Sequence, residues 1–305
     1  MAQGFDALTD PFGKLDLRFA FVALTFQGAN LIFRAAAWRN VLVAAYPNRR
    51  VSLLGMGAAY AAGVASNGYL PARGGEAVKV GLARLQLPGS SVISITAAGS
   101  VLLAFDAVVG AVLIVLAWST GALPHAPHLP TALSGLSNMP LVVAGVTAAL
   151  GLVLLLAVRR FANAFRRVVT KVKSGMAILG TPGRYIRTVV TMQIAAWASR
   201  IASAFFLLAA FSLPASPRLA MLVVVLGGLS TLVPATPGGM GTQQLLLVYA
   251  LQGTVAAATA LSFSVGMQVT VTATNTLIGL VAVMVVFRTF RPLAAIGAAS
   301  NAMRR

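Results

Sequence analysis

The chain has 305 residues, 58% hydrophobic and only 9% charged, with a net charge of +18. Soluble domains are about 25% charged, so this composition, with a mean hydropathy of +0.88, excludes an ordinary water-soluble fold and indicates a bilayer protein. The basic residues flank apolar runs, as positive-inside topology distributes them, which argues against a nucleic-acid partner, and the absence of cysteine excludes disulfides, thiol nucleophiles and thiolate metal sites.

In lipid, every backbone polar group must be satisfied within the element, so helices or a closed barrel are the choices. The apolar runs far exceed the ~10-residue alternating strands of a barrel, which selects helices. Residues 1–16, with Asp6, Asp10 and Asp16, form a short surface segment without the basic, apolar and small-residue blocks of a signal peptide. A first span runs over 17–45. Arg34 and Arg39 in its second half are expected to snorkel to one interface beside Trp38.

Residues 51–70 are apolar and rich in small side chains. Gly55, Ala59, Gly63 and Asn67 share one helix face, a strip suited to close helix contact. A first break follows at Asn67-Gly-Tyr-Leu-Pro-Ala-Arg-Gly-Gly-Glu-Ala-Val-Lys79, and a half-helix continues to Leu87. A long apolar helix with Asp106 covers 90–119, an uncharged loop 120–139, and another span 140–158. The basic segment 159–173, interleaved with Phe161, Phe165, Val168 and Val169, reads equally as an amphipathic surface helix or as an ordinary cytoplasmic loop.

A turn at 180–183 leads to a span over 187–213 that carries Arg200. Residues 219–233 are apolar and stop at a second break, Val233-Pro-Ala-Thr-Pro-Gly-Gly-Met-Gly-Thr-Gln-Gln244. A short return over 241–251 precedes the last long helix, 254–287, with Asn275 near its middle; a basic tail ends the chain.

Charge decides the topology. If 51–70 crossed fully, the Arg-rich 159–173 segment would fall outside, against the positive-inside rule at its strongest point. If 51–88 enters and leaves on one side, almost all cations lie inside, and the same parity makes 219–251 a hairpin entering from outside. The expected fold is therefore all-α: a polytopic helical membrane protein with two re-entrant broken-helix hairpins in inverted arrangement, as in secondary transporters. Its parts are a surface segment 1–16, one transmembrane domain 17–288 and a tail 289–305.

The breaks are the expected chemistry. Free N–H groups and the helix dipole at Gly74, Gly75 and Glu76, with Arg73 and Lys79 beside them, suit a phosphate headgroup. Gly238, Gly239 and Gly241 open another helix start, where Gln243 and Gln244 add neutral hydrogen-bonding groups. Glu76 and Asp106 are the only acids after residue 16. Asp106 is expected to pair with Arg200, and Glu76 with Arg73 or Lys79; the sharper alternative is a proton taken up by one of the acids. His125 and His128 lack a nearby carboxylate and make a poor metal site. No nucleotide-binding or hydrolase motif is present, and the scarcity of acids disfavours a glycosyltransferase, so no catalytic role and no cofactor are expected.

Asn67-x3-Pro71-x-Arg73-x-Gly75-Glu76-x2-Lys79, followed by Pro234-x2-Pro237-Gly238-Gly239-x-Gly241, resembles the transmembrane region of lysylphosphatidylglycerol synthases, also called the flippase-like domain. Arg39 after Trp38 and the acid at Asp106 fit the same pattern, and the resemblance covers about 17–288. It implies a helical membrane domain that moves lipids between leaflets; in two-domain members the lipid is an aminoacylated phosphatidylglycerol made by a cytosolic transferase. Three departures stand out. No transferase follows, so synthesis is not implied; Gln244 replaces a glutamate common in relatives; and relatives usually have one more helix before the first span.

The expected function is translocation or binding of a phosphate-bearing lipid in the cell membrane. Its headgroup would lie between the breaks, at Asn67, Pro71, Arg73, Gly74, Gly75, Glu76, Lys79, Pro237, Gly238, Gly239, Gly241 and Gln244. The alternative is a scaffold presenting lipid to a separate synthase or glycosyltransferase. Partners would be anionic or polyprenyl-phosphate lipids, such an enzyme, or a second copy of the chain.

Overall fold

The computed structural model describes residues 15–70, 74–119, 170, 172–230, 239–251 and 254–287. Among these, all regular structure is helical. The long elements are α1 (Leu17–Ala45), α4 (Val92–Ser119), α5 (Pro182–Ala210) and α8 (Ala257–Phe287). Between them lie the shorter α2 (Leu53–Asn67), α3 (Gly75–Gln86), α6 (Pro217–Ser230) and α7 (Thr242–Ala250).

Length separates the two groups physically. At ~1.5 Å per residue, the 29 residues of α1 reach about 44 Å, more than the ~30 Å hydrocarbon core. Among the described residues, four stretches meet the length and hydropathy needed to cross a membrane: Leu17–Ala45, Val92–Leu113, Pro182–Ala210 and Ala257–Phe287. The 15 residues of α2 and 12 of α3 reach only about 22 and 18 Å, so neither crosses by itself.

Local chemistry sets the ends. The Asp16 carboxylate accepts from the Arg18 N–H at 2.8 Å and caps α1. Pro47, just past Tyr46, disfavours continuation of α1. Ser52 caps α2 by accepting from the Gly55 N–H at 3.2 Å. A π-helical turn at Ile186–Val190 interrupts α5 near its start.

Small residues let the short helices fold back. A Cβ on Gly63 would lie 2.6 Å from the Lys79 Cβ, and one on Gly55 2.8 Å from the Gln86 side chain. Hence α3 runs antiparallel along α2, with the expected strip as the contact. On its other side α2 meets α8, where a Cβ on Gly279 would lie 3.0 Å from the Ala61 carbonyl oxygen. The pair α6 and α7 folds back likewise: the Gly239 position abuts Ser230, and Gly227 faces Gln243.

Two apolar clusters result. One joins Trp38, Leu42, Met56, Leu82 and Ile95 from α1 to α4. The other joins Leu207, Leu226, Leu247 and Phe263 from α5 to α8. Large apolar side chains such as Phe21, Ile32, Val108, Leu277 and Val285 remain exposed, as a helix facing acyl chains requires. The predicted 120–139 loop and 140–158 span, nearly all of the 159–173 segment, and the tail lie outside the described residues.

Candidate functional site

The first break is shaped by an amide. Asn67 ends α2, and its side-chain oxygen accepts the Gly75 N–H at 2.9 Å. It thereby caps α3 across the break, so this N–H is not open to a ligand as the sequence suggested. The crossing is tight enough to require glycine: a Cβ on Gly75 would lie 2.0 Å from the Gly63 carbonyl oxygen. Gly74 sits at the N-cap with helical φ and ψ. Pro71 and Arg73 lie outside the described residues.

Lys79 follows one turn into α3. Its side chain is 8% exposed and forms an ion pair with Glu76, which is 53% exposed. The ammonium lies 5.1 Å from the Trp38 ring centroid and 5.3 Å from that of Tyr60. Aromatic faces attract a desolvated cation by about 0.5–2 kcal/mol each. Lys79 is thus a buried cation packed against two rings and paired with one half-exposed acid.

At the second break, Gly239 and Gly241 adopt φ of +75° and +82°, conformations that other residues rarely take. The Gly241 N–H donates to Gln244 Oε1 at 2.7 Å. The amide nitrogen of Gln244 donates to Gln268 Oε1 on α8. Pro237 and Gly238 lie outside the described residues.

The two breaks border one space. A cavity of about 470 Å³ is lined by Gly68 and Tyr69 from the first, by Met240, Gly241 and Gln244 from the second, and by α8. From α8 come Val265, Gln268, Val269, Thr272 and Ala273. Its polar groups are neutral amides and hydroxyls. Tyr69 is fixed by a 3.0 Å hydrogen bond between its hydroxyl and that of Thr276. A Cβ on Gly68 would meet the Thr272 methyl at 2.7 Å, so α8 packs directly against the first break.

A separate polar centre lies near the middle of the long helices. Arg34 binds Asp106 through both carboxylate oxygens, at 2.8 and 3.0 Å. Trp197 Nε1 donates to Asp106 Oδ1 at 2.8 Å, and the Gln193 amide approaches both that oxygen and the Leu102 carbonyl at 3.4 Å. The sequence placed Arg34 at an interface and Arg200 on Asp106. The structure reverses this: α1 continues past Arg34 for roughly 16 Å, which carries Arg34 to the level of Asp106, while the Arg200 guanidinium rests 5.5 Å from the Trp197 ring centroid. Nearby, Gln27 donates to Asn275 at 2.9 Å and Asn30 to the Ala196 carbonyl at 2.7 Å, linking α1 to α8 and α5.

Sequence reasoning singled out Asn67, the glycines, Gln244, Asp106 and Arg200, and missed Tyr69, Thr272, Gln268, Arg34, Trp197 and Gln193. A usable signal existed for three of these. Gln193 and Gln268 are amides inside apolar spans, and Arg34 is a cation at a similar depth; such groups need partners in lipid. Among the described residues, no group of three or more His, Cys, Asp or Glu could hold a metal.

A family model described as the lysylphosphatidylglycerol synthase TM region matches residues 4–279. No curated protein and no solved structure matches the chain.

Proposed function

We propose that this chain, which belongs to the lysylphosphatidylglycerol synthase transmembrane-region family, holds a polar membrane lipid between its two interrupted hairpins and moves it across the cell membrane. Membership makes it a multi-pass membrane protein linked to lipid handling. The observation that carries the finer reading is the cavity shared by Gly68, Tyr69, Met240, Gly241 and Gln244. Irregular backbone at membrane depth is stable only when buried in protein or lining a wet space. A cavity between two such breaks can take a headgroup that has left the interface.

Its lining suits an amphipathic guest. Val265, Val269 and Met240 offer apolar contact, with Thr272 and the linked amides of Gln244 and Gln268 at its polar edge. Arg73, which lies outside the described residues, is the sequence's candidate for the cation that meets a phosphate. The antiparallel packing of α2 on α3 and of α6 on α7 supports hairpins that each return to their own side, one opening inward and one outward. Alternating access would then need only small movements of the hairpins against α8.

Proteoliposomes test this. Fluorescent phosphatidylglycerol should cross vesicles holding the protein faster than empty ones, as read by quenching of the outer leaflet. The Gln244→Leu, Gln268→Leu double variant should slow crossing about tenfold, the effect of losing roughly 1.4 kcal/mol of hydrogen bonding. Crossing no faster than in empty vesicles contradicts translocation; lipid binding retained in that case would assign the protein to presenting lipid to a separate enzyme.

A further inference from the structure

Both hairpins are tied to the same face of α8 by side-chain hydrogen bonds. Gln268, Thr272 and Thr276 recur at i, i+4 and i+8, so they share that face. From the first hairpin, the Tyr69 hydroxyl meets that of Thr276 at 3.0 Å. Thr276 gives its own proton to the Thr272 carbonyl at 2.7 Å, so Tyr69 is the donor. From the second hairpin, the Gln244 amide nitrogen donates to Gln268 Oε1, while its oxygen accepts the Gly241 N–H. The two ties lie about 12 Å apart along α8. Ala273 and Val265 are the last and first residues of α8 in the cavity lining. Thr276 lies about one turn beyond Ala273, and Gln268 about one turn from Val265.

The attachment of the first hairpin favours movement at its tip. Its base is clamped: Arg49 donates to the Pro88 carbonyl, and the Ser91 N–H donates to the Tyr46 hydroxyl at 3.2 Å. Its two helices are joined near the tip by the bond from Gly75 to Asn67. Toward α8 it presents Ala61, Ala65 and Gly68, which meet Gly279 and Thr272. Such short side chains interlock little and allow packed helices to slide. A hydrogen bond between membrane helices shifts an equilibrium only about threefold on average. A tie of this strength holds a closed state without freezing it.

We propose that Tyr69–Thr276 and Gln244–Gln268 are two latches, each closing the cavity toward the face from which its own hairpin enters. Releasing the first admits water from the first hairpin's side, and releasing the second admits it from the other. This inference rests on the reading of the cavity as the transit site, and adds the contacts that decide which face it opens to.

Water access to the cavity tests the latches. Ala273→Cys, at a cavity position in a chain without native cysteine, is exposed to a membrane-impermeant methanethiosulfonate in right-side-out and inside-out vesicles. Asn48→Cys, in the exposed turn beside the base of the first hairpin, marks that hairpin's face. Tyr69→Phe should raise labelling of Ala273→Cys about threefold from the Asn48 face and leave the other face unchanged. Gln268→Met should raise it about threefold from the opposite face only. Thr276→Val and Gln244→Met break the same bonds from their other ends; they should match, and stand in for a variant that does not fold. Unchanged labelling when either bond is broken, or a rise from the same face for both, would overturn the latches. Lipid crossing is a separate readout. Latch-dependent labelling in a protein that moves no lipid keeps the latches and removes the transit reading; crossing with labelling indifferent to the latches does the reverse.

Discussion

Replacing Asp106 by Asn is expected to destabilise the protein by about 3–5 kcal/mol, the range for removing one partner of a buried ion pair. The substitution keeps shape and one acceptor but removes the charge. Arg34, 14% exposed and bound at both nitrogens, would then sit beside Arg200 with no acid between them. The Trp197 N–H would retain a weaker acceptor, so the loss is chiefly electrostatic. The double variant Arg34→Gln, Asp106→Asn should recover more than half of the deficit, because a neutral pair leaves no orphan charge. Thermal unfolding of the protein in mild detergent reads both effects. Equal unfolding temperatures for Asp106→Asn and wild type would remove Arg34 and Asp106 from the centre of the structure.

The second large effect is expected from one methyl group. Gly75→Ala places a Cβ 2.0 Å from the Gly63 carbonyl oxygen and 2.7 Å from the Asn67 amide oxygen. The nearer obstacle is backbone, so no side-chain rotation relieves it. The α2–α3 pair must separate, which weakens the bond from Gly75 to Asn67 and widens the first break. Overpacking of this kind costs about 1–3 kcal/mol, and lipid crossing should fall to the level of empty vesicles. Gly57→Ala is the matched control: nothing lies within 4 Å of its added Cβ, and Ala favours helix over Gly by about 1 kcal/mol. Normal crossing in Gly75→Ala would mean that the hairpin need not close.

The contrast between these positions shows what was legible beforehand. Hydropathy runs located α1, α4, α5 and α8, because a spanning helix is written in consecutive residues. The strip Gly55, Ala59, Gly63 and Asn67 announced a close neighbour, since small residues at that spacing serve little else in lipid. The Pro and Gly residues of the breaks located both interruptions. Partners were a different matter. Asp106 had two arginines at plausible depth, Arg34 and Arg200, and only the packing of α1 against α4 and α5 decides between them. Nothing local to Lys79 reveals that Trp38 and Tyr60 close around it. Gln268 and Thr272 join the cavity only through the crossing of α8 over the first break, a contact with no trace in local sequence.

The meeting of the two breaks around one space is tested most directly by cross-linking, for which a chain without native cysteine is well suited. Tyr69→Cys and Met240→Cys are introduced together, and membranes are treated with a flexible bis-maleimide. The two positions line the same cavity, so the account predicts an efficient intramolecular cross-link that also arrests lipid crossing in proteoliposomes. Failure to cross-link, with each cysteine reactive when present alone, would contradict it.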